Sequence, residues 1–302
     1  MALELEKIEG IVKGKSLVTF TTFGIGGDAD FYFELKDVQM IPLLLEACKR
    51  DGLPFVILGW GSNIIFSEKG FCGLVIHNLA RKVALDNDLV VADSGTLLSQ
   101  IIQFALKNSL TGMEKMMGLP GSIGGAVRGN AGAFGLEMKD LVAKAEIYRE
   151  GEGVLEVGAE YFEFGYRHST LKKTREILMR VWLHLRPGDS TKGREEVRQI
   201  IISRAGKHPS GKSSGSFFKN PSNNSAGIGH SAGYYIDQAG CKGLKIGGAF
   251  ISDKHANFLM NDGTATLENV LELCSTVQDR VKDQFGLQLE REVQLVSEQG
   301  LL

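Results

Sequence analysis

The spacing of apolar residues divides the first third of the chain into alternating strands and helices. Residues 29–35 alternate apolar and polar side chains, which predicts a strand. Apolar residues then recur three or four positions apart over 40–48, which predicts a helix that Asp37 could cap. Further strands are predicted at 54–58, 64–66, 74–76 and 89–92, and a further helix at 97–108.

The rest of the chain contains more strands and two longer helices. Strands are predicted at 142–148, 154–157 and 177–185, followed by a polar helix over 191–205 and a loop-like segment over 207–215, near which we place a domain boundary. The last third predicts a helix at 232–239, strands at 249–251 and 258–260, a helix at 267–285 and an alternating strand at 289–295. Gly240 and Gly286 end the two helices. The mixture indicates an α+β fold of two or three domains.

Composition narrows the class of protein. The 302 residues are 43% hydrophobic and 23% charged, and the net charge of −2 without a basic tract argues against nucleic acid as a partner. The four cysteines, Cys48, Cys72, Cys241 and Cys274, form no C-x-x-C pair and are expected to be buried thiols in a reducing compartment. No signal peptide or membrane span is recognisable, so a cytoplasmic location is expected.

A glycine run at residues 118–135 is the most informative local feature, with seven glycines among eighteen residues. Glycine loses more conformational entropy on folding than any other residue, so this density indicates left-handed backbone or close approach to another group. A mobile linker is the alternative, but Leu119, Ile123, Val127 and Phe134 are not typical of linkers. The run therefore favours backbone N–H groups that approach a diphosphate.

Two other glycine loops are distinguished by the elements that flank them. Residues 24–29 match G-x-G-x-x-A, but a strand follows them and not a helix, so the dinucleotide-binding interpretation is rejected for a tight hairpin turn. Residues 59–63, Gly-Trp-Gly-Ser-Asn, leave the end of a predicted strand, where ligands commonly bind, although an ordinary turn is the alternative. Together with the glycine run, this loop suits an elongated cofactor such as a flavin dinucleotide.

Three polar residues have chemistry that their local patterns do not settle. Ser216 lies between Gly215 and two aromatic residues. It could serve as a proton donor, or it could belong to a turn that enters a strand. Arg167 and Glu292 would by pattern alone be solvated surface groups. His255 has no partner at metal-ligand spacing, so no metal site is predicted.

Several of these segments, in their order, resemble the UDP-N-acetylenolpyruvoylglucosamine reductase family. The matching segments are 21–27, 59–63, 118–125, 130–132, 166–167, 215–221 and 292–293, which span nearly the whole chain. The resemblance implies a two-subdomain FAD-binding region of the PCMH/vanillyl-alcohol-oxidase type and a C-terminal α+β substrate domain. Residues 1–75 and 76–205 would be the two FAD-binding subdomains, and residues 206–302 the substrate domain. The interval between Arg167 and Ser216 resembles the form that lacks an extra tyrosine loop.

The resemblance also implies roles for individual residues. Arg167, Ser216 and Glu292 would be catalytic, and Tyr166, Lys207 and Asn220 would lie near substrate. Non-covalent FAD would be held by Gly59, Gly61, Ser62, Asn63, Gly118, Pro120, Gly121, Ser122, Gly124, Gly125, Asn130, Ala131 and Gly132. Phe134, where many members have tyrosine, and the pair Arg128-Gly129, where an apolar pair is common, depart from the family pattern.

The implied reaction matches the chemistry of these residues. NADPH would reduce the flavin, and hydride would then pass to the enolpyruvyl group of a nucleotide sugar, giving UDP-N-acetylmuramate. Arg167 and a protonated Glu292 would stabilise the substrate carboxylate, and Ser216 would deliver the proton. The alternatives are another flavin-dependent oxidase of this fold and a non-catalytic flavin or nucleotide-sugar sensor. A monomer without nucleic-acid or membrane partners is expected.

Overall fold

Two compact units make up the part of the chain that the computed structural model describes, residues 3–221 and 229–302 without the side chain of Lys207. Unit 1 comprises Met1–Ile11, Phe33–Trp60 and Ile76–Gly206. Unit 2 comprises Val12–Tyr32, Gly61–Val75 and Lys207–Leu302. The chain therefore passes through each unit more than once. The predicted division at 75/76 and 205/206 stays a prediction.

Helices and strands are interspersed along the described residues. The helices are α1 Ile41–Asp51, α2 Leu98–Lys107, α3 Ile123–Arg128, α4 Ser190–Lys207, α5 Ala232–Gln238 and α6 Leu267–Phe285. The first ten strands are β1 Val12–Ser16, β2 Asp28–Leu35, β3 Phe55–Leu58, β4 Ile64–Phe66, β5 Phe71–Asn78, β6 Val83–Asp86, β7 Leu89–Asp93, β8 Leu110–Thr111, β9 Gly132–Ala133 and β10 Leu136–Glu137. The next ten are β11 Val142–Arg149, β12 Gly153–Gly158, β13 Ile177–His184, β14 Arg186–Pro187, β15 Lys212–Ser216, β16 Lys245–Ile246, β17 Ala249–Ile251, β18 Phe258–Asn261, β19 Gln294–Ser297 and β20 Gly300–Leu301.

Unit 1 is built on a five-stranded antiparallel sheet in the order β12-β11-β13-β7-β6. One core joins this sheet to α2 and α3, because Val181 of β13, Ile101 of α2 and Ile123 of α3 belong to the same buried cluster. The helical spacing of α2 explains its place, since Leu98, Ile101, Ile102 and Ala105 share one face and are at most 2% exposed. The glycine run thus begins beside a well-packed sheet and helix.

Unit 2 contains a four-stranded antiparallel sheet, β15-β18-β17-β16, and a second sheet in which β19 pairs in parallel with β4. Helix α6 begins at the Thr266 cap, whose side chain accepts from the N–H of Asn269, and ends at Gly286 in left-handed conformation. Val270 and Val277 on its buried face join Phe217 and Phe218 in one core. The segment that carries Ser216 is therefore anchored by the core of unit 2.

Most predicted elements are confirmed within a few residues, and the α+β class is confirmed. Three local predictions are wrong. The loop predicted over 207–215 is limited to 208–211, because α4 extends to Lys207 and β15 begins at Lys212. Residues 17–27, between β1 and β2, contain a short 3-10 helix and are not a tight hairpin turn. The last alternating strand begins at Gln294, and the stretch before it forms only an isolated bridge between Arg291 and Phe218.

All four cysteines are free thiols, and three of them are buried as expected. Cys72 is exposed, so the prediction was wrong for that residue. Burial raises the pKa of the Cys48 and Cys274 thiols to about 12, which makes them poor nucleophiles. Among the described helices, none is long and apolar enough to cross a bilayer.

Candidate active site

The glycine run is fixed to the segment after β7 by its own backbone. The N–H groups of Ile123 and Gly124 donate to the carbonyls of Thr96 and Ser94, both at 2.8 Å, and the carbonyl of Gly121 accepts from Leu98 at 3.1 Å. A side chain at Gly124 would place its Cβ 2.8 Å from the Ser94 carbonyl. The backbone here is therefore committed to protein contacts, and Gly124 is required for packing.

Other glycines of the run have different surroundings. Gly125 is exposed, and a Cβ there would have its nearest neighbour, Ser122 Oγ, at 3.8 Å. Gly118 has a φ of +78°, in the left-handed region that favours glycine. Gly132 pairs with Glu137 in the β9–β10 hairpin, where a Cβ would lie 2.8 Å from Glu137 Cγ. Within the run, Gly125 is thus a position where backbone is open to a ligand.

The two predicted FAD loops approach one another inside unit 1. Gly59, at the end of β3, lies so close to Ser122 that a Cβ at Gly59 would overlap the Ser122 hydroxyl oxygen. Ser122 caps α3, and its hydroxyl accepts from the N–H of Gly125 at 3.5 Å. Gly59, Ser122 and Gly125, three predicted FAD residues, are therefore neighbours.

Asn130 joins the glycine run to the turn that carries Arg167. Its side-chain N–H groups donate to the Gly165 carbonyl at 2.9 Å and to Glu137 Oε2 at 3.1 Å. Its side-chain oxygen accepts from the N–H of Lys139 at 3.0 Å. Asn130 is fully buried at a φ of +42°, a conformation that asparagine tolerates better than most residues. These contacts favour a supporting role, and its role as an FAD ligand stays a prediction.

Arg167 lies in a tight turn with strained backbone. Gly165 and His168 exchange two backbone hydrogen bonds of 3.1 Å, and Arg167 between them has a φ of +53°. Its carbonyl accepts from Lys172 Nζ at 2.7 Å, and its guanidinium carbon lies 5.3 Å from the centre of the Tyr166 ring. Left-handed backbone at a residue other than glycine persists only where the surroundings enforce it, and such strain clusters at functional sites.

In unit 2, residues of the predicted FAD loop contact the segment that carries Glu292, just before β19. Asn63 donates from its side chain to the Glu292 carbonyl at 3.3 Å, and its own carbonyl accepts from the N–H of Gln294 at 3.0 Å. Gly61 has a φ of +71°, and a Cβ there would overlap the Phe20 carbonyl. Ser62 between them is half-buried. The loop is therefore seated against the residues that precede β19.

Ser216 and Glu292 are on adjacent backbone segments of unit 2. The N–H of Glu292 donates at 2.9 Å to the carbonyl of Phe217, the residue after Ser216. The N–H of Lys219 donates to the Glu290 carbonyl at 2.8 Å, so the two segments run antiparallel. Ser216 is exposed and Glu292 half-buried, whereas Phe217 and Phe218 are buried. The structure thus brings two of the three predicted catalytic residues together on a rigid support.

Asn257, which sequence reasoning missed, holds this support. Its side chain accepts from the N–H of Phe218 and donates to the Phe218 carbonyl, both at 2.9 Å, and its own carbonyl accepts from the N–H of Phe217 at 2.8 Å. The N–H of Asn257 in turn donates to His255 Nδ1 at 3.2 Å. Burial lowers the pKa of His255, which favours the neutral ring that this contact needs. No local sequence pattern marks an asparagine that pairs with backbone 39 residues away.

The remaining predicted residues are less informative. Tyr166 is 36% exposed, and the side-chain oxygen of Asn220 accepts from the N–H of Ala232 at 3.0 Å. Pro120 is exposed, and Ala131 is held by a 2.8 Å hydrogen bond from its N–H to the Ala126 carbonyl. The side chain of Lys207 lies outside the described residues. No cluster among the described residues has the ligands to hold a metal ion.

Comparisons with known proteins agree with this architecture. A family model described as FAD binding domain matches residues 29–158, and one described as UDP-N-acetylenolpyruvoylglucosamine reductase, C-terminal domain, matches residues 207–296. The UDP-N-acetylenolpyruvoylglucosamine reductase of Caldanaerobacter subterraneus subsp. tengcongensis is 38% identical over 280 residues, covering 92% of this chain and 91% of that protein. That of Clostridium novyi is 33% identical over 300 residues, covering 99% and 95%.

A solved structure gives the same result for the fold. The crystal structure of UDP-N-acetylenolpyruvylglucosamine reductase from Thermus caldophilus matches with a TM-score of 0.77 and 33% identity. The match covers 94% of this chain and 97% of that one. The predicted resemblance and the predicted fold are both confirmed, and the chain belongs to the UDP-N-acetylenolpyruvoylglucosamine reductase family.

Proposed function

We propose that this protein is an FAD-dependent oxidoreductase that uses NADPH to reduce UDP-N-acetylenolpyruvoylglucosamine to UDP-N-acetylmuramate, a step in peptidoglycan precursor synthesis. The observation that carries the proposal is the pairing of the Ser216 and Glu292 segments in unit 2, through the 2.9 Å hydrogen bond from Glu292 to Phe217. The hydroxyl that we assign as proton donor and the Glu292 carboxyl group are thereby on neighbouring backbone, in a family whose members are named for this reduction.

The residues of unit 1 fit FAD. Gly59 has no room for a side chain beside Ser122, and Gly125 is exposed with no atom nearer than 3.8 Å to a Cβ. Backbone N–H groups without side chains in the way can approach diphosphate oxygens closely. When bound, FAD supplies hydride taken from NADPH. We assign its binding to Gly59, Ser122 and Gly125 first, and to the remaining predicted loop residues with them.

Each catalytic residue has a separate task in the proposal. Addition of hydride to one carbon of the enolpyruvyl double bond leaves the other carbon electron-rich and shifts negative charge onto the carboxylate. Arg167 stabilises that charge, because its planar guanidinium presents paired donors to a carboxylate. Glu292, when protonated, donates a second hydrogen bond there. The Ser216 hydroxyl gives its proton to the electron-rich carbon and regains one from solvent, which completes the addition of H⁻ and H⁺.

The proposal extends to partners and location. The protein acts as a monomer in the cytoplasm on a small-molecule nucleotide sugar, without nucleic acid or membrane as a partner. Free cysteines and a net charge of −2 support this part.

A spectroscopic experiment tests the function. The purified protein should show a flavin absorbance spectrum that bleaches with anaerobic NADPH and recovers when the enolpyruvyl nucleotide sugar is added. Denaturation should release the yellow colour into solution, since the flavin is not covalently bound. Bleaching without recovery would leave a flavin oxidase or a sensor as the better description.

A matched pair of substitutions tests the proton donor. Ser216→Ala should lower the rate of substrate reduction by roughly 100-fold or more, because removal of a catalytic proton donor typically costs 10²–10⁴-fold. Ser214→Ala is the control, since the Ser214 hydroxyl is buried in the same strand and has no hydrogen-bond partner among the described residues. Single-turnover reoxidation of the reduced flavin measures both. An unchanged rate in Ser216→Ala would remove Ser216 from the mechanism while leaving the overall reaction in place.

A further inference from the structure

Arg204 stands out among the charged residues of unit 1, because it is not part of any predicted motif and yet lies against the glycine run. It is in the last turn of α4 and is half-buried. A Cβ at Gly118 would lie 2.8 Å from Arg204 Cδ and 3.3 Å from Arg204 Nε. The absence of a side chain at Gly118 therefore makes room for this arginine at the start of the run.

Phe134 holds the guanidinium from the other end of the run. The guanidinium carbon of Arg204 lies 5.4 Å from the centre of the Phe134 ring, which is within the range of a cation–π contact. Phe134 is 54% exposed and has a φ of +52°, an unusual conformation for an aromatic residue. Phe134 and Gly135, with φ values of +52° and +78°, are the two residues of the turn that joins β9 to β10, and a two-residue hairpin turn uses left-handed backbone at both positions. Arg204 thus touches both ends of the run, Gly118 and Phe134.

The Nε–H of Arg204 has no acceptor in the part of the chain that the structure describes, although the atom is buried from solvent. Burial also lowers the pKa of this arginine, which reports a guanidinium held partly away from water. A buried donor of a charged group that lacks an acceptor is unfavourable, so such donors are normally paired. A ligand oxygen would supply the missing partner.

We propose that Arg204 is a cofactor-binding residue whose Nε–H donates to an oxygen of bound FAD, and that Phe134 keeps the guanidinium in position for this contact. The inference rests on the proposed function, because it takes FAD as the ligand of the glycine run. It assigns Arg204 and Phe134 to a site where sequence motifs indicated only glycines and their neighbours.

Equilibrium binding of FAD to apoprotein tests the proposal directly. Arg204→Met keeps a long side chain over Gly118 and removes the donor, and it should raise the Kd for FAD by roughly tenfold or more, as expected for loss of a hydrogen bond from a charged group. Arg204→Lys keeps the charge without Nε and should bind FAD nearly as weakly. Phe134→Leu should raise the Kd about two- to fivefold, and Phe134→Tyr, which keeps the ring, should not.

Controls separate FAD binding from stability and from the proposed function. Arg198→Met, an exposed arginine on the same helix, should leave the Kd unchanged. The melting temperature of Arg204→Met apoprotein should match that of wild-type apoprotein, while the rise produced by FAD should be smaller. Full rescue by Arg204→Lys, an unchanged Kd in Arg204→Met, or an equal loss of stability in the apoprotein would overturn the proposal. Absence of flavin binding by the wild-type protein would instead contradict the proposed function.

Discussion

The two units fix their functional segments with the same side chain in different surroundings. In unit 1, Asn130 links the glycine run to the Arg167 turn through the Gly165 carbonyl. In unit 2, Asn257 links the segment after Ser216 to the His255 turn through Phe218. A carboxamide can do this because it carries a donor and an acceptor, so one side chain satisfies two backbone groups.

The groups that these two asparagines contact differ in their exposure to water. The partners of Asn257 are the N–H and carbonyl of Phe218, which is 1% exposed. Asn130 contacts Glu137 and Lys139, which are half-buried and exposed respectively. Groups that can turn to water lose little when a partner is removed, whereas buried groups bear the full cost of being unpaired. The same asparagine contact should therefore be worth more in unit 2.

Asn257→Ala should give the largest effect on stability. It leaves both backbone groups of Phe218 buried and unpaired, which should lower the free energy of unfolding by about 4 kcal/mol. Because the strand that carries Ser216 loses its support, substrate reduction should also fall. Chemical denaturation with flavin and tryptophan fluorescence as separate probes measures the change.

Asn257→Asp serves as the matched variant for this prediction. It keeps an acceptor for the Phe218 N–H, but it replaces the donor to the Phe218 carbonyl with a carboxylate oxygen and adds a negative charge. A destabilisation in Asn257→Ala no greater than that of an exposed substitution would show that the segment around Phe218 does not depend on this side chain.

Asn130→Gly should have a smaller effect and should separate support from ligand binding. Glycine accepts the φ of +42°, so the change removes the side-chain hydrogen bonds without adding backbone strain. The free energy of unfolding should fall by about 2 kcal/mol, since the Gly165 carbonyl still accepts from the N–H of His168, and Glu137 and Lys139 are solvated. Differential scanning calorimetry of the apoprotein measures this loss.

FAD affinity decides between the two roles of Asn130. A supporting residue predicts a Kd for FAD within about threefold of wild type in apoprotein kept well below its melting temperature. A rise in Kd of tenfold or more, with little loss of stability, would instead identify Asn130 as an FAD ligand, as the family resemblance implies.

Hydrophobic spacing predicted most of the fold because burial follows periodicity. Helices α2 and α6 and strand β13 have long apolar patterns, and their positions were predicted within one or two residues. Strand β15 was predicted as a loop because Lys212 to Ser216 contains no large apolar residue. Its strand conformation depends on pairing with β18 and could not be read from its own residues.

The candidate site residues were predicted from motifs, whereas the residues that hold them in place were not. Ser216 and Glu292 are far apart in sequence, and only the resemblance placed them in one function. Asn257 and Arg204 act through contacts with segments distant in the chain, so no spacing rule identifies them. The glycine motifs also predicted the same role, FAD binding, for all their glycines. The structure distinguishes glycines that pack against protein from glycines that face open space.

Gly124 and Gly125, which are adjacent in α3, test this difference between packed and open glycines, with the smallest expected change in the free energy of unfolding. Gly124→Ala would place a methyl group 2.8 Å from the Ser94 carbonyl and should lower the free energy of unfolding by about 1–2 kcal/mol through overpacking. Gly125→Ala adds a methyl group with no neighbour nearer than 3.8 Å, at an exposed helical position where alanine is preferred by about 1 kcal/mol.

Affinity for FAD should rank these two variants in the opposite order from stability of the apoprotein. If the glycine run approaches the diphosphate at Gly125, the added methyl group occupies the space the cofactor needs, and the Kd for FAD should rise by roughly tenfold while the apoprotein keeps its stability. Gly124→Ala should lower the free energy of unfolding of the apoprotein and should change the Kd for FAD less than Gly125→Ala does. Fluorescence titration with FAD and calorimetry of the apoprotein give both numbers for each variant. Equal Kd values for Gly125→Ala and wild type would show that the diphosphate does not contact this helix at Gly125, because an added methyl group would weaken a contact between backbone and diphosphate.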